Sequence, residues 1–136
     1  MNRTTFAGVA ALAAILALGV IMLGAYVRLS DAGLGCPDWP GCYGRIGAPM
    51  SEEAIAQANA DYPDRPVEPE KAWKEMVHRY LASALGLLIL ALALAAWRSR
   101  GALPVGLSSL LAALVVFQGL LGMWTVTLLV KPAVVT

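Results

Sequence analysis

The chain has 136 residues, of which 59% are hydrophobic and 14% charged, and its formal net charge is +1. With a mean hydropathy of +0.68, this is membrane composition rather than that of a soluble core, and the near-zero charge excludes a basic surface for nucleic acid. The charges are segregated: all nine acidic residues lie between Asp31 and Glu75, so one polar block is flanked by apolar sequence.

The first predicted element is an apolar span from Phe6 to Val27. It is longer than a signal-peptide apolar stretch of about 7–15 residues, and no small-residue cleavage site precedes Arg28. The span therefore reads as retained. The polar block follows as a loop over residues 29–74. Its first part, SDAGLGCPDWPGCYG, is rich in Gly, Pro and aromatics, the composition of tight turns. Cys36 and Cys42 enclose five residues, which suits a small disulfide loop and not a zinc knuckle; no other Cys or His is nearby to complete one. The pair is compatible with a structural staple or with a redox-active couple. Trp39 fits an interfacial anchor. Around 51–60 a short amphipathic helix is predicted, with Ser51 as N-cap, Glu52 and Glu53 in its first turn, and Ala54, Ile55 and Ala58 behind them. Residues 61–70 are rich in Pro and acid and read as extended.

A second span is predicted over 76–97 and a third over 103–129. Each of the three exceeds the roughly 20 residues needed to cross a hydrocarbon core of about 30 Å. The fold class expected is an all-α membrane protein. At the head of the second span, Glu75 and the single histidine, His78, stand three residues apart, one turn of a helix. Ionisable groups at such a place are costly and tend to be functional. A haem ligand, a proton carrier and a plain interfacial histidine all fit His78; a general acid or base and a helix N-terminal acid both fit Glu75. Ala82 and Gly86 lie on nearly the face of His78 and permit close approach of a flat ring or of another helix. Arg28 and Arg79, at the ends of the first two spans, suit haem propionates or lipid phosphates as well as simple snorkelling. In the third span Gln118 and Trp124 suit interhelical hydrogen bonds.

Orientation is ambiguous by counting basic residues, because Arg3, Arg98 and Arg100 face six Lys and Arg on the other side. Two features decide for a cytoplasmic N-terminus. The turn at Trp97–Arg100 is short and densely basic, and the cysteine pair belongs in an oxidising compartment. The loop is then outside, with Glu75, His78 and Thr136 near the outer face.

Three stretches and the spacing between them resemble one family, haem A synthase, the membrane enzyme that converts haem O to haem A for cytochrome oxidase. They are VRLSDAGLGCPDWPGCYG, WKEMVHRYLASALGLLIL and VFQGLLGMWTVTLLVKPAVVT. The strings EMVHRY and QGLLGMWTVT are highly specific together, and the resemblance runs from the first span to Thr136. It implies an eight-helix protein of the bacterial inner membrane, built as two similar four-helix halves. Each half carries a histidine pair able to ligate a haem, with substrate haem O in the N-terminal half and haem b in the other. By motif, His78 matches the first histidine of the N-terminal pair, an axial ligand of the haem iron. Glu75 matches the carboxylate proposed to act in oxidising the C8 methyl to a formyl group. Arg79 belongs to the same motif, and Cys36 and Cys42 match an outer-loop disulfide. Haem O synthase and cytochrome oxidase assembly components are the implied partners. On this reading the chain is a fragment, inactive alone, that stops short of the opposing histidine. A non-enzymatic haem- or quinone-binding electron-transfer module is the rival reading.

Overall fold

A computed structural model describes residues 1–99 and 101–128. Its elements are α1 (Arg3–Leu29), α2 (Glu52–Asp61), α3 (Pro69–Arg98) and α4 (Val105–Thr127). Among the described residues there is no β-strand, only an isolated bridge between Cys42 and Arg45. The helices α1, α3 and α4 are long and apolar enough to cross a membrane. The end of the third predicted span at 129, Arg100, Lys131 and Thr136 lie outside the described residues.

Local chemistry explains where the helices start and stop. Asn2 caps α1, accepting the Thr5 N–H on Oδ1 at 2.7 Å, and Ser51 caps α2, accepting the Ala54 N–H on Oγ at 3.1 Å. Both satisfy a first-turn donor that has no partner within the helix. Pro69 occupies the first position of α3, where its missing N–H costs nothing and its fixed φ is already helical. The extended stretch expected to 70 therefore ends sooner, and α3 begins well before Met76. At the other end of α3, Ser99 Oγ donates to the Ala96 carbonyl at 2.6 Å and accepts the Leu103 N–H at 3.1 Å. Gly101 takes a φ of +91°, and Pro104 precedes α4.

The chain divides into two compact units, Met1–Met22 with Tyr80–Leu120, and Leu23–Arg79 with Leu121–Thr136. In the first, Ala13 and Val20 of α1 meet Leu85 and Leu92 of α3 in a buried cluster, flanked by Phe6, Val9, Leu16, Ala82 and Ile89. The α1 positions recur every three or four residues, so one stripe of each helix meets the other. Between apolar helices in lipid, the close fit itself is what holds them. Ala82 serves this packing, and a Cβ on Gly86 would be in ordinary contact with Val115 at 3.8 Å. The small residues after His78 therefore serve helix contacts. Gln118 is exposed on α4 and makes no hydrogen bond among the described residues, so the interhelical bond expected of it is not formed there. Trp97 Nε1 donates to Ser109 Oγ at 2.7 Å, joining α3 to α4.

In the second unit the polar loop folds on the first turns of α3. Cys36, Cys42, Tyr43, Ala58, Ala72 and Met76 form its core.

Candidate functional site

The second unit contains every site residue expected from the sequence. Ala72, Glu75, Met76 and Arg79 are spaced along one face of α3, and that face meets the Cys36–Cys42 loop. The disulfide is formed, with both cysteines fully buried. Gly35 lets the loop lie on the α3 backbone, since a Cβ there would stand 2.7 Å from the Lys71 carbonyl carbon. Cys36 Sγ comes within 3.8 Å of the Ala72 carbonyl oxygen.

The loop is braced from within by Asp38. Its carboxylate accepts the N–H of Tyr43 at 2.6 Å and of Gly44 at 2.8 Å. Those donors point inward because Tyr43 and Gly44 both have positive φ, +53° and +72°; glycine takes that conformation freely, whereas tyrosine does so under local restraint. Tyr43 packs edge-on against Tyr62 at 5.3 Å, and its hydroxyl donates to the Pro66 carbonyl at 3.4 Å. Burial pushes its phenol above the ordinary tyrosine value. The backbone around Trp39–Pro40 is cis.

Glu75 is only 4% exposed, and both its oxygens are engaged. Oε2 accepts the Cys36 N–H at 3.0 Å, and Oε1 is paired with the Arg79 guanidinium. Arg79 also donates from Nη1 to the carbonyls of Asp38 at 2.9 Å and Gly41 at 2.6 Å. A planar guanidinium, with donors fanned in one plane, is suited to hold a carboxylate and two carbonyls at once. Arg79 is therefore largely committed to the loop. Arg28, in contrast, is exposed in the last turn of α1. Glu75 lies in the seventh position of α3, beyond the first turn, where a carboxylate would gain most from the helix dipole.

His78 is turned elsewhere. No hydrogen bond or ion pair joins it to Glu75, and its Nδ1 is buried without a hydrogen-bond partner. Its ring lies against Gly24 of α1, where a Cβ would stand 2.9 Å from Cε1. Among the described residues, no three His, Cys, Asp or Glu side chains gather into a metal cage. A metal carried in a macrocycle does not need one, because the ring supplies most of the donors and the protein adds only axial ligands. An imidazole whose Nδ1 is unclaimed among the described residues, seated on a bare backbone, fits that demand.

Sequence reasoning did not single out Gly24 or Asp38. Asp38 had a local signal, an acid inside a Gly- and Pro-rich turn. Gly24 had only the general oddity of a glycine in a helix interior.

The site and the three apolar helices define a multi-pass membrane protein with a buried carboxylate–guanidinium brace beside an unclaimed imidazole. The family model described as cytochrome oxidase assembly protein, COX15-CtaA, matches residues 7–136, and the chain belongs to that family. It is 51% identical over 121 residues to a heme A synthase of Shewanella oneidensis. The alignment covers 89% of this chain and 36% of that relative, so the chain spans about a third of the length of the curated relative it matches. No solved structure matches it significantly.

Proposed function

We propose that this chain provides one haem-binding part of a haem A synthase, the enzyme that oxidises the C8 methyl of haem O to a formyl group. The observation that carries the reading is the His78 imidazole, part-buried, with an Nδ1 that has no hydrogen-bond partner among the described residues, and seated on Gly24. The Shewanella relative supports the choice of reaction.

In this reading haem O is the substrate, and its iron and conjugated ring supply the redox chemistry when it is bound. His78 would hold the haem iron, together with a histidine from elsewhere in the full-length protein. Glu75 acts as a fixed negative charge rather than as a proton shuttle, because both its oxygens already accept hydrogen bonds. A carboxylate so held is preorganised to stabilise positive charge developing at the substrate's edge. Arg79 keeps Glu75 and the disulfide loop in place, which helps to exclude water. The exposed Arg28 takes an anionic group such as a haem propionate. The loop lies outside the bacterial inner membrane and the N-terminus in the cytoplasm. Haem O synthase delivers the substrate, cytochrome oxidase assembly components receive the product, and haem b occupies the other half.

The test is to express the full-length protein with His78→Ala or Glu75→Gln and to resolve the extracted haems by chromatography. We expect His78→Ala to lose haem O binding and haem A together, and Glu75→Gln to keep bound haem O while haem A falls. Unchanged haem O binding in His78→Ala would sink the ligand role. A wild-type protein that binds haem and converts none would favour the electron-transfer module.

A further inference from the structure

We propose that Gly24 is a positioning residue for the haem ligand: the absence of a side chain there is what seats the His78 ring. The inference rests on His78 being that ligand. A Cβ on Gly24 would lie 2.9 Å from Cε1, 3.4 Å from Nε2 and 3.6 Å from Nδ1 of His78. Three atoms of one ring thus lie against a single backbone position, so α1 acts as a wall for the imidazole.

Local preference does not explain this glycine. In a helix interior Gly is less favourable than Ala by about 1 kcal/mol. Gly8 and Gly19, in the same helix, have nothing within 4 Å of an added Cβ, so they accept a methyl group sterically and Gly24 does not. The second observation is independent: Nδ1 is buried without a partner. Among the described residues no hydrogen bond holds Nδ1, and the packing of the ring on Gly24 is what orients it. A ligand site loses function when its geometry slips by about 0.5 Å. A Cβ only 2.9 Å from Cε1 overlaps it and displaces the ring, because the atom it meets belongs to a stiff imidazole.

The experiment uses the full-length protein, purified in detergent and stripped of haem, and titrates haem while following the Soret band. Gly24→Ala is expected to weaken binding about ten- to hundredfold, the range of an overpacked contact. Gly19→Ala is the control and matches wild type. His78→Gly binds weakly, and added free imidazole, untethered from α3, restores the band. The double variant Gly24→Ala/His78→Gly is restored by imidazole to the same extent.

Wild-type affinity in Gly24→Ala overturns the proposal. So does a double variant that imidazole does not restore although it restores His78→Gly, since the loss would then belong to the fold. If instead His78→Gly binds haem like wild type, the ligand reading itself fails, and the seat proposed for that ligand falls with it.

Discussion

The backbone N–H of Cys36 donates to Glu75 Oε2 at 3.0 Å, across 39 residues of sequence. This bond places the most buried acid of the chain directly against the disulfide. Through Arg79, which pairs with Glu75 and donates to the Asp38 and Gly41 carbonyls, one carboxylate and one guanidinium fasten the whole 36–42 loop to α3.

Removing the charge on Glu75 leaves Arg79 short of a partner in a part-buried place. Glu75→Gln keeps an acceptor for the Cys36 N–H but loses the ion pair. The loop should be destabilised by roughly 1–3 kcal/mol. Hydrogen exchange at the amides of residues 36–44 would report it as faster opening, while the α4 amides stay unchanged.

Arg79→Lys keeps the charge and loses the fork. A lysine ammonium is a point donor that cannot span two carbonyls and a carboxylate in this geometry. We expect proteolysis within residues 36–45 to accelerate in Arg79→Lys almost as much as in Arg79→Ala. A lysine variant as resistant as wild type would show that charge alone holds the loop.

Opening the Cys36–Cys42 disulfide by Cys→Ser at both positions should cost roughly 2 kcal/mol, as expected for a short closed loop. Because the loop is also held by Asp38, Glu75 and Arg79, it should stay folded on α3 at neutral pH. The check is denaturant-dependent exchange of the loop amides, with the midpoint lowered and the native protection pattern kept.

Tyr43 makes loop stability depend on alkaline pH. Burial raises its phenol above the ordinary value, so the folded loop holds its proton more tightly than the unfolded loop does. The stabilisation is complete below the unfolded value, near about 10, and is lost as pH rises through the folded value. Loop protection should therefore fall above pH of about 10 in wild type, and Tyr43→Phe should flatten that dependence.

Much of the architecture was legible along the chain. The spans followed from runs of apolar residues longer than a bilayer core, because in lipid only a helix satisfies its own backbone. Ser51 was readable as a cap, since a cap acts on an amide three residues away. The start of α3 at Pro69 was readable in principle from the N-terminal preference of proline, yet the acidic run around it reads as extended on composition alone.

What the chain could not show was which polar groups meet. Spacing placed Glu75 and His78 one turn apart, and sequence by itself determined that both sit at the head of one apolar helix. Only tertiary structure separated them. Glu75 turns to the Cys36 amide and to Arg79, because a buried carboxylate must find donors and the loop supplies them. His78 turns to Gly24, because α1 leaves room there and nowhere asks for its proton. Glu75 and Arg79 stand four residues apart and leave a helical pattern, but Cys36 and Gly24 lie so far along the chain from Glu75 and His78 that no local pattern announces those contacts.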